Sequence, residues 1–130
     1  MIAQDTIIAA ATPPGRGAVG IIRISGSLAF EIAKNLTNMT LLPRHATYCP
    51  LIFHNEPIDI GIWLFFPGPN SYTGEDVVEF QGHGGPIVIQ TIVSIIQEFG
   101  ASPAKPGEFS ERAFLNNKIR KEVLENHISF

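Results

Sequence analysis

Residues 67–86, PGPNSYTGEDVVEFQGHGGP, constrain the fold of this chain more than any other stretch. A loop punctuated by Pro67, Gly68, Pro69 and Gly74 leads into a strand pattern over Asp76–Gln81, and the strand runs out in Gly82-His83-Gly84-Gly85. Pro86 then suits the first turn of a helix, where a missing N–H costs no hydrogen bond. Over Pro86–Phe99 the polar Gln90, Ser94, Gln97 and Glu98 fall on one helical face and Val88, Ile89, Ile92, Val93, Ile96 and Phe99 on the other, with Gly100 as the stop. The loop Phe66–Gly74 is long for a hairpin connection, and long ordered loops in compact domains tend to serve function. Loop, strand and glycine corner surround a lone carboxylate, Glu79, which is the build of a ligand cleft.

The rest of the chain supplies more strands around this unit. Thr6–Ala10 and Val19–Ser25 are rich in Ile and Val and flank Pro13-Pro14-Gly15-Arg16-Gly17, so they read as strands joined by a rigid, glycine-rich loop. Ser27 is placed to cap a helix running to about Leu36, with Leu28, Ile32 and Leu36 at helical spacing, ended by Asn38 to Pro43. Tyr48–Phe53 and Ile58–Phe66, separated by His54-Asn55-Glu56-Pro57, predict an antiparallel hairpin. Ser102–Gly107 reads as a proline-containing loop, and Ser110 as the cap of a helix through Asn116. Strands in succession with helices between the groups predict an α+β domain, a mixed and largely antiparallel sheet covered by two to three helices.

At 130 residues the chain suits one domain, large enough to bury on the order of two thirds of its unfolded surface. With 45% hydrophobic and 16% charged residues, disorder is excluded. A net charge of −3 argues against nucleic-acid binding by the chain as a whole, because affinity for phosphate backbones comes from Lys and Arg that displace counterions. Cys49 is the single cysteine, so no internal disulfide forms; it reads as a small buried hydrophobe. The start MIAQDT carries an acidic residue where a signal peptide carries positive charge, and no apolar run approaches the ~18 residues of a membrane span. A cytoplasmic protein with no membrane contact is the expectation.

Several motif matches fail on context. Gly15, Gly17 and Gly20 satisfy G-x-G-x-x-G, but Ile21-Ile22-Arg23-Ile24 follows as a strand where the dinucleotide fingerprint requires a helix. Gly82-His83-Gly84-Gly85 resembles an esterase oxyanion loop, yet the chain has no G-x-S-x-G nucleophile. The same glycines can hold an anion at the start of the helix, or form only a tight corner in which glycine tolerates positive φ. His83 there either donates to a ligand or packs at the turn. Arg23 and Glu79 each sit between apolar neighbours in predicted strands, so each needs a partner: one another, backbone, a wet sheet face, or a ligand. Tyr72 either packs on a ligand or partner, or fills the core. Arg112 and Glu111, within Ser110-Glu111-Arg112-Ala113-Phe114, read as helix-surface or loop-pinning charges outside the site.

TPPGRGAVGIIRISG at 12–26, the 67–86 stretch and KPGEFSERAFLNNK at 105–118 occur as three blocks in one order, and together they resemble the amino-terminal domain of the MnmE/TrmE family of tRNA-modification GTPases. The resemblance covers residues 5–118. It implies a folate-binding and dimerisation domain over 1–118, similar to the folate-binding part of the glycine-cleavage T protein, with 119–130 a truncated or divergent start of a helical domain. It implies that Arg23, Glu79 and Lys118 contact 5-formyltetrahydrofolate or another one-carbon tetrahydrofolate, and that the Phe66–Gly74 loop shapes the pocket and the contact between two domains. A pterin presents an amino group and a ring N–H side by side, which one carboxylate accepts as a forked pair, while Arg23 complements the negative tail. Tyr72 and His83 complete the expected folate contacts.

The implied function is a tetrahydrofolate-binding, dimer-forming module of a protein that modifies the wobble uridine of certain tRNAs, together with a flavin-dependent partner of the MnmG type. Neither tRNA contact nor a metal site is expected from this domain itself. No G-x-x-x-x-G-K-[ST] occurs, and Asn117-Lys118-Ile119-Arg120 carries arginine where the guanine-reading N-K-x-D needs its aspartate, so no GTP binding is expected. Past Lys118, IRKEVLENHISF departs from the family's K-L-D-L-x-Q-A-E-A; a cut end, a frameshift or a decayed gene each give such an ending. Two alternatives stand beside this reading: a stand-alone folate-dependent one-carbon transferase, for which no second acid–base pair is evident, and a dimerisation module without ligand.

Overall fold

Short runs of Ile, Val, Phe and Trp cannot satisfy their backbone groups alone, and here they pair into one sheet. The computed structural model describes residues 5–11 and 19–116. Its elements are β1 (Ile7–Ala10), β2 (Val19–Ser25), α1 (Ala29–Thr37), β3 (Thr47–Phe53), β4 (Glu56–Phe66), β5 (Val77–His83), α2 (Pro86–Glu98), β6 (Ser102–Pro103) and α3 (Glu108–Leu115). The strand order is β3-β4-β5-β2-β1-β6. All neighbours are antiparallel except β6, which runs parallel to β1. This is the expected α+β fold with a mixed, mostly antiparallel sheet. After β2 the chain makes α1 and the β3–β4 hairpin before β5 returns to lie beside β2, and that return positions the site described below.

Period-two alternation decides which side chains meet the helices. Ile22 and Ile24 of β2, Trp63 and Phe65 of β4, and Val78 and Phe80 of β5 share a core with Ile32 and Leu36 of α1 and Ile92 and Ile96 of α2. Trp63 and Phe80, opposite each other across β4 and β5, place their rings 4.7 Å apart. Each such side chain contributes roughly 1.5–3 kcal/mol by leaving water, which makes this helix-covered face the stable platform of the molecule.

Local chemistry differs from the sequence expectation at four places. Ser27 does not cap α1: the N–H of Leu28 donates to Thr6 Oγ1 at 3.0 Å, so the cap comes from the residue before β1. The hairpin turn is only His54-Asn55, both at positive φ, as the right-handed twist of the flanking strands favours; Glu56 and Pro57 already belong to β4. Ser102–Pro103 forms an edge strand within the expected loop, tied to β1 through the Ser102 N–H on Thr6 O at 2.8 Å. Helix α3 begins at Glu108 after left-handed Gly107, which puts Ser110 inside the helix, buried, and not at its cap.

The glycine corner also has another cause than the one anticipated. Gly82, Gly84 and Gly85 are absent from the residues with positive φ, and Gly85 is in an extended conformation as the α2 N-cap. A Cβ on Gly82 would overlap the Asp59 carboxylate and the Phe80 ring, so close approach requires glycine at this position.

Candidate functional site

The antiparallel register of β2 and β5 sets Arg23 directly opposite Glu79, on the sheet face turned away from α1 and α2. Arg23 Nε donates to Glu79 Oε2 at 2.8 Å, and Gln81 Nε2 donates to Glu79 Oε1 at 2.7 Å. The carboxylate is therefore held from both sides. Its side chain is 12% exposed, against 45% for Arg23. Of the readings left open for this pair, mutual pairing is realised, and both residues also line a cavity of about 400 Å³ whose walls include Phe66, Val77, Tyr72 and Phe109. A carboxylate oxygen offers more than one acceptor position, so Glu79 can still receive two further donors from the cavity.

A polar network anchors the wall opposite the sheet. Glu75, at the end of the 67–76 loop, accepts from Ser25 Oγ at 2.7 Å and from Arg112 Nη1 at 3.1 Å on each oxygen. Arg112 Nη2 reaches Glu108 at 3.0 Å, and Ser25 Oγ lies 2.8 Å from Thr73 Oγ1. Asn116 Nδ2 donates to Thr73 O at 2.9 Å, and Tyr72 Oη lies 3.0 Å from Ser110 Oγ. Ser71 Oγ donates to Glu75 O within the loop itself. Arg112 is 2% exposed: it pins the loop, one of the two roles the sequence left open, and from a buried position. Without these bonds Tyr72 and Thr73 have no fixed place against the cavity.

Tyr72 is half exposed and lines the cavity, so it does not fill the core. His83 stands elsewhere. It is the last residue of β5, its ring is largely exposed, its Nδ1 lies 2.5 Å from Asp59 Oδ1, and its N–H donates to Asp59 Oδ2 at 2.9 Å. It is not one of the residues around the Glu79 cavity. Lys118 and the Pro13–Gly17 loop lie outside the described residues. Cys49 is half buried at the core margin, and burial pushes its thiol above the ordinary range.

Sequence reasoning missed Gln81, Phe109 and the second cavity of about 310 Å³ that adjoins the first at Arg23, Tyr72 and Phe109. Gln81 was within reach of pattern: two positions after Glu79 in a strand, it must face the same side. Phe109 had no such signal, because its contact depends on where α3 docks. Among the described residues no helix is long and apolar enough to cross a membrane.

Residues 6–118 match the family model described as GTP-binding protein TrmE N-terminus. The chain belongs to that family. The TrmE amino-terminal match takes in every strand and helix above and ends on Lys118. Among similar proteins, one from Francisella philomiragia is 56% identical over 119 residues, covering 92% of the chain. One from Vibrio cholerae is 57% identical over 117 residues (88% of the chain), and one from Pseudomonas paraeruginosa 57% over 118 (90%). Each of these is named tRNA modification GTPase MnmE. The chain spans about a quarter, 26%, of the length of each of these relatives.

Proposed function

We propose that this chain binds 5-formyltetrahydrofolate, or another one-carbon tetrahydrofolate, in the cavity under Glu79, and associates as a homodimer. In this reading it serves a TrmE-family protein that modifies the wobble uridine of tRNA with a flavin-dependent partner of the MnmG type, GTP hydrolysis lying outside these 130 residues. The observation that carries the proposal is Glu79 itself. It is a nearly buried carboxylate, fixed by Arg23 and Gln81, at a cavity walled by Phe66, Tyr72 and Phe109. An aminopyrimidinone edge offers two parallel donors to such an acceptor, and its flat ring suits aromatic walls. Arg23, paired with it, orients the carboxylate toward the ring, and Lys118 adds a second cation by family resemblance. His83, tied to Asp59, is given no ligand contact.

Homodimer formation draws on the same sheet face. Tyr48, Ile62 and Ile60 stand on it exposed at 69%, 36% and 38%, next to one another across the β3–β4 pair, with Val19 exposed at the far end of β2. Exposed apolar side chains grouped in this way support a protein–protein contact on this face.

Titration with 5-formyltetrahydrofolate tests the ligand. Binding at micromolar concentration or tighter is expected for the unaltered chain. Glu79→Ala removes a charged acceptor and weakens binding by about 2–3 kcal/mol, roughly 30- to 150-fold. Arg23 is exposed enough to remain solvated in that variant, so folding should survive. Saturable binding that ignores Glu79→Ala defeats the assigned role. Sedimentation with and without ligand separates this reading from a dimerisation module that binds nothing.

A further inference from the structure

Helix α3 walls the Glu79 cavity with Phe109, yet little within the helix itself keeps it in place. It has 8 residues, fewer than the ~12–15 at which an isolated helix holds in water. Its N-cap, Gly107, gives the first turn no side-chain hydrogen bond, and none of its side chains belongs to the core cluster beneath α1 and α2. What docks it is the loop at 72–75: Ser110 Oγ lies 3.0 Å from Tyr72 Oη, Arg112 reaches Glu75 at 3.1 Å, and Asn116 Nδ2 donates to Thr73 O at 2.9 Å. For so short a helix, undocking and melting are one event. The far end fits closely. Gly74 sits at φ 85°, and a Cβ there would lie 2.8 Å from Asn116 Cβ. Asn116 is not among the residues lining the cavity, but Tyr72 and Thr73, on the loop it clasps, are.

Resting on the folate reading of that cavity, we propose that α3 is an occupancy relay: a bound folate keeps the helix docked as a unit, and the Asn116 clasp passes that state to whatever follows in the chain. A ligand touches Phe109 only while α3 is docked, and such differential affinity is what shifts a two-state equilibrium. The family match, described as the TrmE N-terminus, ends on Lys118, two residues past the clasp. The chain spans 26% of the relatives' length, so in them further sequence is tied to this point. By reciprocity, anything that grips the chain beyond Asn116 and steadies the helix also tightens folate binding.

The test is amide hydrogen exchange of the full 130-residue chain with and without 5-formyltetrahydrofolate, read at the two ends of α3. The reporters are the N–H groups of Glu111 and Asn116, which donate to Gly107 O and Arg112 O. In the free chain both should exchange faster than the amides of β5 and α2. At free ligand about 100 times its Kd, both should slow by roughly 100-fold, while the His54-Asn55 turn is unmoved. A wall that is merely touched would slow at Glu111 alone, beside Phe109. Asn116→Ala, or Gly74→Ala from the other side of the clasp, should keep the slowing at Glu111 and lose it at position 116. Ligand binding that slows neither amide, or Glu111 alone, in the unaltered chain overturns the relay and leaves the folate reading intact. So does slowing at position 116 that survives both variants, or α3 amides as slow as the core in the free chain. No binding of the ligand ends both proposals.

Discussion

Arg112→Met should loosen helix α3 from the sheet and unmake the cavity without unfolding the core. Arg112 is 2% exposed and makes contacts of 3.1 Å to both oxygens of Glu75 and 3.0 Å to Glu108. Methionine keeps an apolar stem of similar reach and removes only the guanidinium. Breaking a buried pair from one side costs about 3–5 kcal/mol, because the partner is left desolvated and unneutralised. Glu75 and Glu108 retain 15% and 16% side-chain exposure, so some water reaches them and the lower end, about 3 kcal/mol, applies. That corresponds to an opening equilibrium shifted roughly 150-fold. The assay is amide hydrogen exchange of 108–115, read beside urea unfolding followed by the single tryptophan, Trp63, which lies in the helix-covered core. Exchange of the α3 amides should accelerate by about two orders of magnitude, with a smaller change in the Trp63 transition. Adding Glu75→Gln and Glu108→Gln to the methionine variant should recover part of the loss, since neutral amides need no counter-charge. Acceleration below about fivefold, equivalent to ~1 kcal/mol, refutes this account of how the wall is held, and so does a triple variant no better than the single.

Two further outcomes follow from the local structure. Thr6→Val keeps the side-chain shape but removes the acceptor for the Leu28 N–H, and should cost about 1 kcal/mol, seen as a Tm lower by roughly 3–5 °C; an unchanged Tm would remove Thr6 as the α1 cap. Cys49 is held neutral by burial, so its thiol should react with a disulfide reagent at pH 8 more slowly in the folded chain than in urea; equal rates would contradict this. The sign carries to stability: its raised value favours the folded state below the ordinary thiol range, and that contribution is lost as pH rises through the raised value.

The parts of the fold readable from sequence were those set by one local cause. Helix α2 was bounded by Pro86 and Gly100 and showed two clear faces, and the observed helix follows them. Strands β1 and β2 emerged from segments rich in Ile and Val, close to their observed limits. What the sequence hid depends on distant partners. Thr6 caps a helix 22 residues away, and Ser102–Pro103 becomes a strand only because β1 offers an open edge. In the site, Arg23 and Glu79 were recognisable as charges needing company, but their being each other's company is a fact of strand register between residues 56 apart in sequence. Gln81 was legible by alternation and overlooked. Phe109 and the buried state of Arg112 follow from the docking of α3, for which no periodic pattern exists.

That separation of Arg23 from Glu79 also orders events in time. The β3–β4 hairpin closes through two residues and can form on the microsecond scale, whereas pairing β5 with β2 must first close a loop containing a helix and that whole hairpin. A slip of one residue in this late pairing would turn the charge of the slipping strand under the helices, into the driest part of the molecule, and leave the other without its partner, so wrong alignments are rejected by desolvation. The ion pair is thus a checkpoint of assembly: a nascent or partly folded chain has no half-formed version of it.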